Sequence, residues 1–461
     1  MSRIIWFELK RTFCQFRSYL IILLLVVMSL VMIQDYRSKE KIYEAQDAWQ
    51  GFFMTKKAEG GLADVKMYRD DKEPFLKENP NLTDEYVDRY EAYMLQLLDE
   101  AETVDYNYQK KEWKEYHGKV ARYNYVTAYR YLQQHIIDLE NGKITNYSNL
   151  AQELKDVGKK YQYPDWLASP RRGRSNTEMI SNVTIWIQEM RYRHRLAIQE
   201  IPSLHRKSVT SLSFLYFFLG ELMPYCLPLI IALIVYDTWA KDHKNGSIKV
   251  LFTQPQKRSS VVYSKFIVNV MISMLVLILP LGLVFVFLKF NDGYSFWNFP
   301  VLMQNDSFSS VRAAENVMHQ ELLNYGYNTF IGISKVSGVV SGMGIDMKLQ
   351  FVSLGSFLIM ALILLVLFVV FTVAFTMLIA SIVRNQYIVF VSSLLMTLLG
   401  FLASQSDWSV WSILNPFRYA NSIAILGGYA SVTALTSVIV LGIYTVILLI
   451  LNNYFIRRQN I

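Results

Sequence analysis

The residues of this chain that invite a functional reading do not form an acid–base or nucleophilic set. The most ordered pattern is Asp242-His-Lys-Asn-Gly246-Ser247-Ile248-Lys-Val-Leu251-Phe252-Thr-Gln-Pro255-Gln-Lys-Arg258, followed by Lys265. It is polar and basic apart from Ile248, Leu251 and Phe252, which recur at helical spacing. Gly246 can break a preceding helix, and Pro255 can end the short one between them. The chemistry such a segment offers is mechanical: a short amphipathic helix has an apolar face that seeks a groove in a partner. A second candidate is Glu221, in Phe217-Phe-Leu-Gly220-Glu221-Leu-Met-Pro224, the only acidic residue inside an apolar run. It stands roughly ten residues into that run, about 15 Å at helical rise, and is expected well inside the bilayer. A carboxylate there costs about 2.5–3.5 kcal/mol on insertion scales. It reads either as a functional group, or as a protonated or hydrogen-bonded group with a structural part only. His-Glu-x-x-His, Gly-x-Ser-x-Gly and Cys-x-x-Cys are absent, and His117, His135, His194, His205, His243 and His319 are scattered.

These residues must be positioned by membrane-spanning elements. Of 461 residues, 52% are hydrophobic and 18% charged, against about 25% charged in soluble domains. Mean hydropathy is +0.21, and 14% aromatic residues exclude disorder for the bulk of the chain. Crossing about 30 Å of hydrocarbon takes about 20 apolar residues. Six segments meet or approach that length: Arg17–Gln34, Ser211–Tyr236, Phe266–Leu288, Val352–Val383, Tyr387–Ala403 and Ser431–Leu451. The predicted class is an all-α polytopic membrane protein with six transmembrane helices. Pro224, Pro228 and Pro280 are expected to kink the second and third helices.

Lys and Arg counts orient the bundle. The N-terminal arm, the 237–265 loop, Arg384 and the 452–461 tail hold 13 basic against 3 acidic residues, whereas Asp35–Ser208 holds 28 of each. By the positive-inside rule both termini are expected to face the cytoplasm. The charge of +8 is then a cytoplasmic excess, not a nucleic-acid surface. Residues 1–16 interleave apolar and basic residues, which favours an interfacial amphipathic helix over a simple extension of the first crossing. Gln34–Lys41 is polar, with no small-residue cleavage site, so the first crossing reads as a retained anchor.

Residues 35–208 are expected to form a mostly helical extracytoplasmic domain. Leu82, Tyr86, Tyr90, Tyr93, Leu97, Ala101 and Val104 mark one helix, with Thr83 as its cap. Val120, Tyr123, Tyr129, Leu132, Ile136 and Leu139 mark a second, stopping at Asn141-Gly142, and a third is expected from Thr177 to Ile201. Gly60-Gly61, Pro74, Pro80, Pro164 and Pro170 are expected to punctuate the rest. Seventeen of the 30 tyrosines fall here, and packing between helices is favoured over ligand binding for them. Arg171, Arg172 and Arg174, with Arg191, Arg193 and Arg195, read as a solvated basic face with local acidic partners, or as a contact for lipid phosphates. Residues 289–351 form a second outer segment with an aromatic group, Phe296, Trp297 and Phe299. Cys14 and Cys226 allow no disulfide framework in the outer mass.

The loop pattern resembles the acidic-x-x-x-Gly-Thr/Ser … Leu … Pro-x-x-Arg … Lys signature of ABC-2-type permeases, the membrane subunits of type V-fold ABC exporters. Asp242, Gly246, Ser247, Leu251, Pro255, Arg258 and Lys265 fall on its positions, with Asp where Glu is commoner. Asn415-Pro416-Phe417-Arg418-Tyr419 resembles the stretch before the last helix of the same family. The large insertion between helices one and two matches one subfamily. The resemblance implies that the loop is a coupling helix seated in a separate ATPase subunit. ATP and Mg would be bound by that partner and no cofactor by this chain, which lacks a Gly-x-x-x-x-Gly-Lys-Ser/Thr loop. It implies a second permease copy or a homologous permease, contact with membrane lipids and a plasma-membrane location, expected in a Gram-positive bacterium. It also implies that the outer turn, 404–430, re-enters the membrane and roofs the path. Asn415, Pro416 and Phe417 are then candidate path or gate residues together with Glu221 and Pro224. The expected activity is export of an amphiphile such as a peptide, antibiotic or lipid. Rival readings are a sensor or scaffold whose outer domain binds a peptide or wall component, and an ion exporter.

Overall fold

A computed structural model describes residues 6, 8–10, 15–47, 50–78, 82–144, 148–163, 183–204, 207–244, 258–304, 349–383, 385–405, 413–427, 430 and 432–458. Six of its helices are long and apolar enough to cross a membrane: Phe16–Glu40, Ser211–Asp242, Arg258–Lys289, Leu354–Ile382, Gln386–Ser404 and Ala434–Arg458. The apolar windows of helices two and four are each 61% buried, whereas those of one, five and six are 28%, 17% and 22% buried. Helices two and four are therefore the centre of the bundle, and the other three are peripheral. An even number of crossings returns the chain to the side where it began. That side is called the terminal end here, and the opposite side the far end.

Helix α1, Phe16–Asp47, does not stop where its apolar run stops. It continues past Gln34 because Tyr36 is buried against the Phe217 ring, 5.3 Å away and edge-on, and Lys39 pairs with Asp35 one turn back. The far domain continues with α2 (Gln50–Asp70), α3 (Glu73–Glu78), α4 (Asp84–Gln109), α5 (Trp113–Glu140), α6 (Ser148–Tyr161) and α7 (Val183–Gln199). Thr83 caps α4, accepting from the Tyr86 amide, and α5 stops at Asn141 with Gly142 at a positive φ of 74°. The third expected helix is present as α7; residues 177–182 of that expectation lie outside the described residues. Pro74 sits in the first turn of α3, while Pro80, Pro164 and Pro170 fall outside the described residues.

Gly60 and Gly61 correct one expectation. They lie inside α2, where Gly61 lets that helix close on α4: a Cβ there would fall 2.4 Å from Met94 Sδ. The arginines correct another, since Arg193 is fully buried beside Glu189, Arg191 pairs with Glu153 at 3.0 Å, and Arg195 lies over the Phe351 ring. The acidic partners Glu189 and Glu153 are present and Arg195 is exposed, but the face is not solvated throughout, because Arg193 is fully buried. Arg171, Arg172 and Arg174 lie outside the described residues. The tyrosines pack helices together, as expected: Tyr90, Tyr93, Tyr116, Tyr125 and Tyr129 are buried in a core separate from that of the bundle.

Helix two opens as α8 (Ser211–Phe217), passes through a π turn, Phe218–Leu222, and resumes as α9 (Met223–Val235), with α10 (Ala240–Lys244) beyond it. The π turn has a local cause. Pro224 has no amide to offer the carbonyl four residues back, and its ring would clash there. That carbonyl belongs to Gly220 and accepts instead from the Asn421 side chain at 3.0 Å. The start of helix two is fixed by a Thr210 capping box and by Asp292, which accepts from the Ser211 amide at 3.1 Å.

Helix three is α11, Arg258–Lys289, and its loop leads to strand β1, Pro300–Gln304. Strand β2, Leu349–Ser353, pairs antiparallel with β1, with Leu302 opposite Phe351, and runs into helix four, α12, Leu354–Ile382. This two-stranded element is the one departure from an all-helical fold among the described residues. Tyr192 of α7 packs edge-on against Phe299, and Arg195 and Gln199 donate to the carbonyls of Phe351 and Asn298. The far domain is thereby docked on the connection between helices three and four. Helix α13, Gln386–Gln405, a 3-10 turn at Pro416–Ala420, α14 (Ser422–Leu426) and α15 (Ala434–Arg458) complete the chain.

Candidate functional site

At the terminal end, Lys265 of α11 is 2% exposed and its ammonium lies 2.5 Å from the fully buried Asp242 carboxylate on α10. A second carboxylate, Glu8 of the N-terminal arm, lies 3.4 Å from the same ammonium. Lys265 also donates to the Thr238 carbonyl at 3.2 Å and stands 5.0 Å from the Trp239 ring. Asn269, one turn along α11, donates to the Thr238 hydroxyl at 3.0 Å. Lys265 and Asn269 share a helix face because they are four residues apart. The aromatic and polar walls satisfy a charge group that would otherwise be expensive to bury.

Two further contacts hold the surroundings. Arg17, at the start of α1, donates to the Asp237 carboxylate at 2.6 Å and to the Ile234 carbonyl at 3.0 Å, with the Tyr236 ring 5.2 Å away. A cation at that point also complements the C-terminal carbonyls of α9. Arg258, the first residue of α11, donates to the Arg457 carbonyl at 3.1 Å, near the C-terminus of α15. The segment 245–257 thus departs from a flank locked by Asp242–Lys265 and returns to one tied by Arg258. Glu8, Asp237, Lys241 and Lys265 line a small cleft beside the cluster.

Of the residues assigned to the loop from sequence, Asp242, Arg258 and Lys265 are described, and Asp242 and Lys265 are in direct contact. Gly246, Ser247, Ile248, Leu251, Phe252 and Pro255 lie outside the described residues. Sequence reasoning missed Glu8, Arg17, Thr238 and Asn269 as partners. Glu8 is the only acid in a basic arm, and Arg17 and Asp237 bracket apolar runs. Those signals are readable, but they name no partner.

At the far end, Asn415 clamps its own turn. Its side chain accepts from the Phe417 amide at 3.0 Å and donates to the Gly400 carbonyl of α13 at 2.8 Å. Pro416 opens the 3-10 turn with its φ already fixed. Phe417 fills the space beside Gly400, where a Cβ would fall 2.2 Å from its ring, and meets Phe371, Phe375 and Phe401. The Asn421–Gly220 bond then joins this turn to helix two, one residue from Glu221.

Glu221 lies within the span Ser211–Asp242, beside the first helix. Its side chain is 41% exposed, accepts from the Tyr36 hydroxyl at 2.6 Å and lies 3.9 Å from the Lys207 ammonium. These partners tie it to Tyr36 on α1 and to Lys207, just before helix two.

Six helices long and apolar enough to cross a membrane, with a buried polar cluster at the terminal end and a helical domain at the far end, define an all-α polytopic membrane protein. Residues 3–454 match the family model described as ABC-2 family transporter protein, and the chain belongs to that family. The chain is therefore a transport membrane subunit. A search of the curated proteins finds no match for it.

Proposed function

We propose that this chain is the permease subunit of a bacterial ABC exporter that moves an amphiphile outward, driven by a separate ATPase subunit seated on the 245–257 loop. The observation that carries the reading is the Asp242–Lys265–Glu8 cluster, with Arg258 tied to helix six. A lever must be fixed at its ends to transmit force. Here the loop's flanks are joined to helix two, helix three, the N-terminal arm and helix six. Displacing the loop would therefore tilt helices two and three together, a rigid-body motion of packed elements. In this reading the terminal end is cytoplasmic, in line with its basic excess. A second permease, identical or homologous, completes the path, and ATP and Mg stay on the partner.

The test is transport and ATPase activity of the complex purified from its native membrane and reconstituted. Leu251→Asp places a charge on the apolar face of the loop, and Arg258→Glu breaks the tie to helix six. Each is expected to abolish transport, either by uncoupling it from ATP hydrolysis or by preventing ATPase assembly. Full transport in both variants would refute the coupling role.

A further inference from the structure

Among the described residues, helix two carries an exposed stripe. The Glu221 side chain is 41% exposed, Tyr225 is 72% exposed and Leu229 is 38% exposed. Their four-residue spacing aligns them along one side of the helix over about 12 Å. Between them Met223, Pro224, Leu227 and Pro228 are buried, so the stripe is narrow and its backing is rigid. One end is a carboxylate, the middle a phenol ring, and the other end an aliphatic side chain.

Glu221 is partnered on its protein side and 41% exposed on the other. Tyr36 donates to it at 2.6 Å. Lys207 stands 3.9 Å away, beyond hydrogen-bond length, with its ammonium 3.7 Å from the Tyr36 ring centre. Lys207 is 13% exposed, so the carboxylate is the more open member of the pair. The π turn fixes the direction of the carboxylate, because Asn421 holds the Gly220 carbonyl and Ile423 packs on Gly220 itself.

We propose that the stripe binds a cationic amphiphile, a single-chain amine or quaternary ammonium whose head meets Glu221 and whose tail lies along Tyr225 and Leu229. The carboxylate selects a cation over an anion. The Tyr225 ring offers its face to an ammonium or an alkyl chain, and Leu229 adds apolar contact. As a binding site this stands on the geometry alone; as the class of cargo it rests on the exporter reading above.

The test is equilibrium binding of dodecyltrimethylammonium and of dodecyl sulfate to the full chain in nanodiscs, followed by transport of dodecyltrimethylammonium by the complex with its ATPase. The cation is expected to bind about ten-fold tighter than the anion, and Glu221→Gln to remove most of that preference, weakening the cation and strengthening dodecyl sulfate. Glu221→Asp should restore part of it, and Tyr225→Ala should weaken the cation about three-fold. Equal binding of the two amphiphiles by the wild type overturns the proposal, as does a folded Glu221→Gln protein that keeps the preference. If Glu221→Gln does not fold, Tyr225→Ala with Leu229→Ser carries the test, and unchanged affinity there is equally fatal. A Tyr225→Cys chain that crosslinks to a second copy in native membranes also overturns the proposal, since the stripe would then be an interface. Charge-selective binding without transport leaves the site standing and counts against the exporter reading.

Discussion

Lys265 and Asp242 are 23 residues apart in sequence, yet the ammonium and carboxylate meet at 2.5 Å with almost no exposure to solvent. The contact closes the base of helices two and three around the loop that joins them. Glu8 adds a second carboxylate from the N-terminal arm, so three separate stretches of chain depend on one side chain.

Lys265→Met should destabilise the chain by about 3–5 kcal/mol, because it leaves Asp242 buried without its cation. The double change Lys265→Met with Asp242→Leu should recover part of that loss. Thermal unfolding of the four proteins in one detergent measures the cycle. Additive effects would show that the pair is not energetically coupled.

Asn421→Ala should cost about 1–3 kcal/mol by leaving the Gly220 carbonyl without a partner. Pro224→Ala offers that carbonyl a backbone amide and should rescue the loss while removing the π turn. The same unfolding assay reads both effects. A Pro224→Ala change that fails to rescue Asn421→Ala would mean that the proline is not the cause of the irregular turn.

Gly400→Ala should displace Phe417 from its place against helix five, since the new methyl would overlap the ring. The overpacking is expected to cost about 1–3 kcal/mol. Phe417→Leu in the same chain should relieve it, as melting temperatures of the single and double variants will show.

His194 lies with its ring centre 3.9 Å from that of Tyr161, and burial, together with the nearby Lys160 charge, holds its pKa below the ordinary value of 6.5. Burial depresses His135 in the same way, against the opposing pull of Asp138. A histidine with a depressed folded pKa contributes stability that is present above 6.5 and lost as pH falls through the folded pKa. Glu100 runs the other way: burial outweighs Arg122 and raises its pKa, so its contribution is largest below 4.5 and declines as pH rises. Acidification from pH 7 to 5 is therefore expected to lower the melting temperature. His194→Gln should flatten that slope, and Glu100→Gln should steepen it by removing the opposing gain.

Much of the architecture was legible before any coordinates. Long apolar runs leave the backbone little choice but a helix in hydrocarbon, where each polar backbone group must be satisfied within its own segment. Thr83 and Asn141-Gly142 marked helix ends because caps act over three or four residues. The Asn415-Pro416-Phe417 stretch stood out by its family resemblance, and its turn geometry came from the structure. Gly60-Gly61 misled because a glycine pair that breaks an isolated helix is also what permits two helices to touch.

What the sequence determined by itself is the set of spans, the class of protein and the position of the loop between helices two and three, all consequences of hydropathy and short-range spacing. The tertiary structure alone decided that Asp242, Lys265 and Glu8 share one buried cluster, that Asn421 completes the Gly220 turn, and that Glu221 opens outward beside Tyr36 and Lys207. The physical reason is range. A helix is decided by neighbours within a turn or two, whereas a charge cluster is decided by which distant segments pack close enough to exclude water.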